Sequence, residues 1–504
     1  MTILLRLPVV LLVLARGGIL GHLVRTGILP GWLAGFFRSL DSVFSWGRRD
    51  RPGIALARAL SRLGPGFIKF GQALSTRADL IGAETAADLA TLQDRLPPFS
   101  PALARQLISK ELDQPLESVF ASFEDTPVAA ASIAQVHFAT LTDGREVAVK
   151  ILRPGIRRRV EKDIRFFRAM AGFVELIAPA TRRLRLVHAV DQFAYISDIE
   201  LDLRLEGAAA GKLADNHRED DGIHVPWIEW KLTTEHMLVM ERIEGTRIDD
   251  REALKAAGHD IDTITRTAAR CFFVQVFRDG YFHADMHPGN IFIRDDGALV
   301  PIDFGIMGDL SLPDRLFLAR LLNAMLDRDY SQVASLHAEA GMISPAVSRE
   351  GFAQAVRAVT EPVMDKPMGD VSLGTVLGQI FGLARRFDIS VQPQFTLLQK
   401  TMVMAEGVGR QLNPDANMWP LARDLAEDWA RSQQSLSSQL SEIADKALLL
   451  GLRLPDLLDK AEKALDRLAA SPPEHSSIHP SPRPGLPWGW LGIIAGIVIL
   501  FHIL

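Results

Sequence analysis

The sequence predicts an α+β fold of two lobes, a small lobe rich in β-strands followed by a larger helical lobe. Across residues 127–152 apolar and polar residues alternate on either side of a turn formed by Asp143 and Gly144, which is typical of a β-hairpin. From Asp249 onward helical periodicity dominates. The exceptions in this second lobe are two short strand-like runs, 290–294 and 298–303.

The junction between the lobes follows a second strand-forming region. The run HVPWIEWKLTTEHMLVMERI (224–243) predicts two more strands, after a helix-rich, arginine-heavy stretch that ends near residue 218. MERIEG (240–245) then leads into the helical lobe. Ligands are often bound where two lobes meet, so Glu241 is a candidate cofactor-binding residue.

The composition is that of an ordinary folded protein of several domains, with 504 residues, 48% of them hydrophobic and 23% charged. The net charge of −5 gives no indication of nucleic-acid binding. Cys271 is the single cysteine, so an intramolecular disulfide is excluded and a reducing compartment is favoured. Its apolar surroundings, AARCFFVQVF, indicate a small buried hydrophobic residue.

The amino-terminal part predicts helices and a membrane contact. Residues 54–95 read as helices that break at Gly64, Pro65 and Gly66 and continue as an amphipathic run. Ahead of them, the apolar run LPVVLLVLA (7–15) is flanked by arginines. It is too short to span a bilayer, and we interpret it as an interfacial helix or a membrane-leaning arm.

The last 17 residues, 488–504, carry no formal charge and predict a transmembrane anchor. As a helix they measure roughly 25 Å, close to the ~30 Å of a hydrocarbon core. Trp488 and Trp490 suit the membrane interface. A buried terminal helix is the alternative. The preceding residues 471–487 contain six prolines, which is typical of an extended linker.

The run YFHADMHPGNIFI (281–293) carries polar residues at a spacing that serves phosphoryl transfer. Asp285 lies five residues before Asn290, and Asp303 follows in VPIDFG. The intervening IFIRDDGALVPI predicts a hairpin that folds Asn290 and Asp303 back together. An amide and a carboxylate oxygen suit Mg²⁺, with Asp285 near the attacking group as the catalytic carboxylate. The spacing matches the protein-kinase pattern H-x-D-x-x-x-x-N followed by D-F-G.

A lysine expected to bind nucleotide lies upstream. VAVK places Lys150 at the end of a strand, as in the kinase signature V-A-I-K, whose lysine contacts the α- and β-phosphates of ATP. A buried lysine needs a carboxylate partner, and Glu206 in DIELDLRLEGAAA is the candidate. Four motifs in kinase order predict a bilobal protein-kinase-like fold that binds ATP and Mg²⁺.

Two features depart from an ordinary protein kinase. An alanine-rich loop replaces the glycine-rich loop, and because alanine disfavours positive φ, we expect this loop to be stiffer. No A-P-E motif follows Asp303, and the chain runs directly into a helix start, so a peptide-docking platform is not expected. The cofactor-binding candidates in the loop are Ala129, Ala130, Ala131, Ser132, Ile133 and Ala134.

Together these motifs make residues 50–425 resemble the UbiB family of atypical kinase-like proteins. The sequence carries a KxGQ motif at 69–72, an ExD motif at 200–202, and HADMHPGN with Met286 where the family usually has proline. EGAAA also lacks the asparagine that usually follows the helix glutamate. The resemblance implies that a helical KxGQ extension precedes the kinase-like lobes.

The resemblance also implies ubiquinone biosynthesis at the inner membrane, with ATP hydrolysis favoured over protein phosphorylation. It implies that the KxGQ helices lie over the site where a kinase holds its peptide. Lys69 and Gln72 are three residues apart and share a helix face, so both are expected to point into the cleft. Lys69, a catalytic and regulatory candidate, is expected to pair with Glu200. The remaining regulatory candidate, Asp202, is expected on the strand or helix opposite.

We therefore expect a protein of the bacterial inner membrane with its globular part in the cytoplasm. The expected partners are membrane lipid, prenylated quinone precursors, quinone-biosynthesis enzymes and a second copy of the chain, but not nucleic acid. The expected segments are 1–48 (membrane-leaning arm), 49–125 (KxGQ extension), 126–245 (small lobe), 246–425 (large lobe), 426–470 (C-terminal helices), 471–487 (linker) and 488–504 (transmembrane helix).

Other interpretations stay open. The protein is alternatively a small-molecule or lipid kinase acting on a prenylphenol-type substrate, or a nucleotide-switched pseudokinase scaffold. The arginine-rich run 152–168 either contacts anionic lipid or is the exposed face of an amphipathic helix, and we favour the second. His283 and His287 lack a third metal ligand nearby in the sequence, so we interpret them as scaffold residues of the loop.

Overall fold

A computed structural model describes the chain in several stretches. These are residues 3–25, 30–44, 51–75, 81–89, 91–92, 96–343, 347–364, 372–383, 387, 392–413, 422–429 and 431. The chain divides into two compact units, 1–432 and 433–504. The second unit lies outside the described residues, and with it the predicted linker and transmembrane helix.

The described amino-terminal part is helical. Gly64 has φ 107° and Pro65 begins the next helix, so the predicted break falls between α4 and α5. Phe67 and Phe70 of α5 pack against Phe167. The helices are α1 Ile3–Arg16, α2 Ile19–Arg25, α3 Gly31–Phe44, α4 Pro52–Leu63, α5 Pro65–Ser75 and α6 Ala83–Leu89.

The predicted membrane-leaning arm is the helix α1, which packs on its neighbours. Val10 is buried, and Arg6 forms an ion pair with Asp163. Within the described residues no single helix is both long and apolar enough to cross a membrane. Residues 6–16 and 19–25 reach that length and apolarity only as a pair bent by 84°.

The small lobe is built on an antiparallel sheet in the order β1-β3-β4-β5, with β2 also paired to β3. The predicted hairpin is present, because β3 and β4 pair on either side of Gly144, which has φ 90°. Lys150 lies in β4 opposite Val136 and Leu238, in the middle of the sheet. The elements are α7 Pro101–Leu112, β1 Phe120–Phe123, β2 Ala129–Ala130, β3 Ala134–Leu141, β4 Glu146–Leu152 and β5 Met237–Glu241.

The prediction of two strands in residues 224–243 is wrong for the first of them. The structure has the strand β5, whereas Ile228 makes an isolated bridge to Met240. Pro226 has no N–H to give to a ladder. The chain also bends so that the N–H of Trp227 donates to the Glu241 carboxylate at 3.2 Å. The segment therefore runs beside the sheet without joining it as a regular strand.

Three α-helices lie between β4 and β5. The arginine-rich run begins α8, and Arg168 of this helix donates to Asp191 of α9 (Nε–Oδ1 2.8 Å). The next helix, α10, begins after Asp202, whose carboxylate accepts the N–H of Arg204 at 3.1 Å and so caps it. The helices are α8 Ile156–Ile177, α9 Leu186–Glu200 and α10 Leu203–Asn216.

The large lobe is mainly helical and has an extensive apolar core. Its fully buried side chains include Phe282, Phe352 and Phe395. Cys271 is buried as predicted, and burial raises the pKa of its thiol to about 12. The short strands pair in the orders β6-β8-β9 and β10-β7. The elements are β6 Thr246–Arg247, α11 Arg251–Ala256, α12 Ile261–Val274, β7 Tyr281–His283, β8 Ile291–Ile293, β9 Leu299–Pro301, β10 Met307–Asp309, α13 Leu312–Leu326, α14 Tyr330–Glu339, α15 Arg349–Met364, α16 Leu373–Leu383 and α17 Pro393–Leu412.

Candidate active site

The site begins with a buried ion pair in the small lobe. Lys150 Nζ lies 2.6 Å from Oε1 of Glu206, the predicted partner, which is in the first turn of α10. The two side chains are 15% and 7% exposed. Because both charges are largely removed from water, the loss of Lys150 would leave the Glu206 carboxylate buried without a cation.

Asp303 brings a second carboxylate to Lys150. Its Oδ1 lies 3.6 Å from Lys150 Nζ and accepts the N–H of Gly305 at 3.1 Å. The Lys150 ammonium holds the pKa of Asp303 well below its usual range. Burial alone would lower the pKa of Lys150, but Asp303 and Glu206 outweigh it and raise that pKa. Burial raises the pKa of Glu206. The Lys150 ammonium is thus shared by two acids, Glu206 and Asp303.

Residues 284–290, between β7 and β8, are called the catalytic loop here after the corresponding loop of protein kinases. They hold Asp285 and Asn290 next to each other. Asn290 Nδ2 donates to Asp285 Oδ2 at 3.2 Å. Strands β8 and β9 form the predicted hairpin, and the N–H of Ile302 donates to the Asn290 carbonyl at 3.0 Å. Asp303 follows Ile302 directly. The structure thus joins the side chains of Asp285 and Asn290, and it holds the backbone of Asn290 beside Ile302, the residue before Asp303.

His283 supports this convergence as a scaffold residue. Its Nε2 lies 2.5 Å from the Asp303 carbonyl, and its Nδ1 lies 3.2 Å from the N–H of Asp285. Nδ1 therefore accepts and Nε2 carries the hydrogen, as in a neutral ring. Burial accordingly lowers the pKa of His283. His287 accepts the N–H of Gly289 at 3.1 Å, and no group of three or more His, Cys, Asp or Glu residues forms a metal site in the described chain.

The alanine-rich loop consists of β2, a tight turn and the start of β3. The N–H of Ala131 donates to the carbonyl of Ala134 at 2.9 Å. The described non-glycine residues with positive φ are at three positions, none in this loop, so the alanines adopt the loop without that strain. Ser132 is fully buried, and its Oγ has no hydrogen-bond partner in the structure. An unpaired buried hydroxyl is unfavourable, and a polar ligand bound to this loop would give the Ser132 hydroxyl a partner.

The KxGQ extension meets the kinase-like lobes through Lys69. Its Nζ lies 3.4 Å from both carboxylate oxygens of Glu200, the predicted partner. Gln72 donates instead to the carbonyl of Leu92, at 3.4 Å, and so makes this contact inside the extension. The position of Asp202 opposite Lys69 stays a prediction. Asp202 follows Glu200 along the same run and caps α10, a position that aspartate favours.

Glu241 ends β5 at the junction of the lobes. Its Oε2 lies 2.8 Å from His224 Nε2 and 3.2 Å from the N of Trp227. These contacts use the carboxylate to hold the segment that precedes β5. The role of Glu241 in cofactor binding stays a prediction.

Two further contacts around the site had no signal in the sequence. Lys212 of α10 lies 3.2 Å from Oδ2 of Asp309 and 3.9 Å from the centre of the Tyr281 ring, which ties α10 to the large lobe. Thr401 of α17 donates to the carbonyl of Ala284, in the catalytic loop, at 3.1 Å. The partners of these two hydrogen bonds are separated in the sequence by 97 and 117 positions, which is beyond the range of any local pattern.

The charges of this site fit a cation. The carboxylates of Glu206 and Asp303 lie within 3.6 Å of the Lys150 ammonium, which balances one of the two charges, and Asp285 is hydrogen-bonded to Asn290. Carboxylate and amide oxygens such as those of Asp303 and Asn290 are ligands that Mg²⁺ prefers, with phosphate oxygens completing its shell in nucleotide sites. The residues present therefore fit a divalent cation bound together with a nucleotide.

Comparison with known proteins agrees with this geometry. Residues 91–337 match the ABC1 atypical kinase-like domain, and residues 356–417 match the UbiB helical domain. A protein named Probable protein kinase UbiB from Shewanella piezotolerans is 41% identical over 431 residues, which cover 84% of this chain and 78% of that protein. The protein of the same name from Marinobacter nauticus is 42% identical over 425 residues, which again cover 84% of this chain and 78% of that protein.

A solved structure is more distantly similar. The complex of Rv3197 with erythromycin from Mycobacterium tuberculosis is 25% identical, with a TM-score of 0.48, and the match covers 73% of this chain and 93% of that chain. The domain and relatives reported above confirm the predicted kinase-like fold of mixed helix and sheet and the family resemblance. This chain belongs to the UbiB family of atypical kinase-like proteins.

Proposed function

We propose that this protein is a membrane-bound, ATP- and Mg²⁺-dependent atypical kinase that acts mainly as an ATPase in support of ubiquinone biosynthesis. The observation that carries the proposal is the convergence of Lys150, Asn290 and Asp303 in one part of the cleft. Membership of the UbiB family supports a kinase-type activity and the connection with ubiquinone.

Each residue of the site has a role in this proposal. Lys150 binds the α- and β-phosphates of ATP, and Glu206 holds its ammonium in place. Asn290 and Asp303 hold Mg²⁺, which when bound neutralises charge on the phosphates. Asp285 orients the attacking group and accepts its proton, and the Asn290 amide 3.2 Å away fixes the direction of its carboxylate.

The segment after Asp303 supports water or a small molecule as the phosphate acceptor. Strand β10 pairs with β7, and α13 begins at Leu312 directly after its cap residue Ser311. A protein kinase has a longer activation segment between its D-F-G and A-P-E motifs. The KxGQ extension also supports a small acceptor. Its Lys69, in α5, contacts Glu200 at the end of α9, immediately before α10, the helix that carries Glu206.

Membrane binding is supported by the exposed face of α3. Trp32, Phe36 and Val43 follow one another at intervals of four and seven residues, so they share one face of the helix, and Trp32 and Val43 are 67% and 68% exposed. Residues 3–44 contain four arginines and one aspartate, in a chain whose net charge is −5. An apolar face next to basic residues is typical of helices in a membrane interface. Lipid of the inner membrane and prenylated quinone precursors are the partners that suit this face, with the globular part in the cytoplasm.

The test is ATP turnover by the purified protein, with and without Mg²⁺, and by the variant Asp303→Asn. This variant keeps the size of the side chain but loses the charge, so turnover is expected to fall by about 10³-fold. Asp143→Asn, in the turn between β3 and β4, is the matched control and is expected to turn over ATP like the wild type. Undiminished turnover in Asp303→Asn would count against the proposed site.

Phosphate transfer to a prenylphenol-type lipid is the second candidate, because the short segment after Asp303 and the apolar face of α3 also favour a lipid acceptor. γ-labelled ATP incubated with the protein, liposomes and candidate precursors separates the two activities. Label in free phosphate indicates hydrolysis, and label in the lipid indicates transfer. An inactive Asp303→Asn protein that restores quinone levels in a deletion strain would instead support a scaffold.

A further inference from the structure

Arg153 lies directly after β4, beside the alanine-rich loop. Its side-chain Nε donates to the carbonyl of Ala131 at 2.9 Å. Its backbone N–H donates to the carbonyl of Ile133 at 2.8 Å. One residue therefore holds two of the carbonyl groups of the turn that joins β2 to β3.

The same guanidinium also binds residues 96–99 of the KxGQ extension, called the connecting segment below because they lead from α6 to α7. Nη1 donates to the carbonyl of Pro97 at 3.0 Å, and Nη2 donates to the carbonyl of Leu96 at 3.3 Å. The guanidinium carbon lies 5.9 Å from the centre of the Phe99 ring. Three nitrogens of one side chain thus serve three carbonyls, two in the connecting segment and one in the loop.

Two further hydrogen bonds join the loop to the same connecting segment. The N–H of Leu96 donates to the carbonyl of Ala130 at 3.4 Å. The N–H of Phe99 donates to Oε1 of Gln135, in β3, at 3.0 Å. Arg153 therefore lies within a small network of hydrogen bonds that fastens the loop to residues 96–99.

The bond to Ala131 determines the direction of the next amide. A trans peptide is planar, and its C=O and N–H point in opposite directions. With the Ala131 carbonyl turned to Arg153, the N–H of Ser132 points away from Arg153. If this peptide were turned the other way, the Ala131 carbonyl oxygen would lie on the side where the Ser132 N–H now lies. A carbonyl oxygen repels a phosphate, whereas backbone N–H groups bind one.

We propose that Arg153 is a positioning residue that fixes the peptide orientation of the alanine-rich loop and thereby sets the affinity of the site for the phosphate groups of a nucleotide. This inference rests on the nucleotide binding proposed above. It also accounts for alanine in the loop. A glycine-rich loop adapts by its own flexibility, whereas here the backbone has no positive φ among its alanines and is held from outside by a side chain.

Lysine cannot replace this arginine fully. The guanidinium is a planar fork that directs its N–H groups to several acceptors at once, while an ammonium is a point charge at the end of a flexible stem. Arg153→Lys keeps the charge but loses the simultaneous contacts with Ala131, Leu96 and Pro97. Arg153→Ala loses both.

The experiment is calorimetric titration of Mg-ATP, Mg-ADP and adenosine into the full chain, as wild type, Arg153→Lys and Arg153→Ala. Arg153→Ala is expected to bind Mg-ATP and Mg-ADP about tenfold more weakly, since loop amides that contact charged phosphates lose their alignment. Its affinity for adenosine, which has no phosphate, is expected to stay at the wild-type value. Arg153→Lys is expected to fall between the two proteins.

Arg145→Ala is the matched control. Like Arg153, Arg145 is an arginine of the small lobe with several polar contacts. Its partners are the carboxylates of Asp143 and Glu229, and it lies in the turn between β3 and β4. Its removal is expected to leave all three affinities unchanged. The unfolding temperature of each variant shows that it is folded, and Arg153→Lys carries the test if Arg153→Ala does not fold.

Two results would overturn the role of Arg153. One is an unchanged affinity for Mg-ATP in the folded variants. The other is an equal loss of affinity for Mg-ATP and adenosine, as expected if the arginine only stabilises the lobe. A wild-type protein that binds no Mg-ATP would instead count against the proposed function itself, so the two failures are distinct.

Discussion

Two lysine–glutamate pairs lie near one cleft, the first inside the small lobe and the second between the KxGQ extension and α9. Lys150 and Glu206 are 2.6 Å apart, and Asp303 is 3.6 Å from the same ammonium. Lys69 lies 3.4 Å from both oxygens of Glu200. The first pair is short, and a second carboxylate lies beside its ammonium. The second pair is longer and joins two helices, and its Lys69 ammonium also helps to lower the pKa of Asp303.

The difference follows from what else holds each lysine. In the middle of the sheet, Lys150 is surrounded by carboxylates, so the geometry of the site depends on this pair. The helix that carries Lys69 is also held by apolar packing, since the ring of Phe70 stacks on Phe167 at 4.2 Å and meets Phe193 edge-on at 5.3 Å. The first pair therefore shares its ammonium with Asp303, whereas the second adds a charge contact to a helix that apolar packing also holds.

The largest effect is expected from breaking the first pair with Lys150→Met. Methionine keeps an unbranched side chain but removes the ammonium, so Glu206 and Asp303 face each other without a cation. We expect ATP turnover to fall by about 10³-fold. The free energy of unfolding is expected to fall by about 3–5 kcal/mol, as for other buried pairs that lose one partner. Turnover assays and urea unfolding measure the two effects.

Lys110→Met, on the exposed side of α7, is the control for this substitution and is expected to behave like the wild type in both measurements. Turnover close to the wild-type value in Lys150→Met would show that the first pair lies outside the active site. The comparison between the two pairs would then lose its basis.

Phe70→Ala tests whether packing rather than charge anchors the extension. Loss of the stacked and edge-on contacts is expected to lower the free energy of unfolding by about 2–4 kcal/mol. Hydrogen exchange should become faster along α5, while turnover should change much less than in Lys150→Met. Phe36→Ala, on the exposed face of α3, should change stability by less than about 0.5 kcal/mol. If Lys69→Ala destabilises the protein more than Phe70→Ala does, the second pair is the main anchor.

Acidification is expected to affect the surroundings of the two pairs in opposite directions. Burial lowers the pKa of His283 beside the first pair, and likewise of His137 and His337. The stability that such a neutral ring contributes is present above its unfolded pKa of about 6.5 and is lost as the pH falls below it. Next to the extension, burial, opposed by Arg6, raises the pKa of Asp163 to about 6. For such an acid, stability is lost as the pH rises through the folded value and regained below it.

Urea unfolding at about pH 7.5 and about pH 5.5 measures the balance of these groups. The free energy of unfolding of the wild type is expected to fall on acidification, because three histidines oppose two acids with raised pKa values, Asp163 and Glu206. In Asp163→Asn the offset from Asp163 is absent, so the fall should be steeper by up to about 1.4 kcal/mol per pH unit. Asp191→Asn, at a partly exposed ion pair on α9, should keep the wild-type dependence. Stability that rises on acidification would contradict the neutral histidines.

The smallest effect is expected from a double-mutant cycle on the second pair. Lys69→Ala, Glu200→Ala and the double variant should give a coupling free energy of about 1 kcal/mol. The same cycle on Lys150 and Glu206 should give about 3 kcal/mol, because that pair is shorter and more deeply buried. Equal couplings in the two cycles would remove the distinction between the pairs.

The residues of the first pair and the catalytic loop could be predicted because each lies in a local pattern. Lys150 lies in an alternating strand, which fixes its position in the sheet. Asn290 and Asp303 flank a hairpin whose turn is visible in the sequence, so their convergence follows from chain geometry alone. Spacing of this kind is short enough for the backbone itself to bring the side chains together.

The contacts between distant elements could not be predicted in this way. Lys212 reaches Asp309, and Arg153 reaches residues 96 and 97, only because separate elements pack side by side. For Arg153 a weak signal existed, because Pro154 and Gly155 turn the chain directly after the strand.

The short run between Asp303 and α13 has a consequence for control of the enzyme. Residues 304–311 supply β10 and Ser311, the cap residue of α13, and Ser311 and Asp314 each accept the other's backbone N–H. Many kinases are switched on by a phosphate added to a mobile stretch at this point. Here β10 is paired with β7 and Ser311 caps α13, so a phosphate added to this run would have to break hydrogen bonds that the fold already uses.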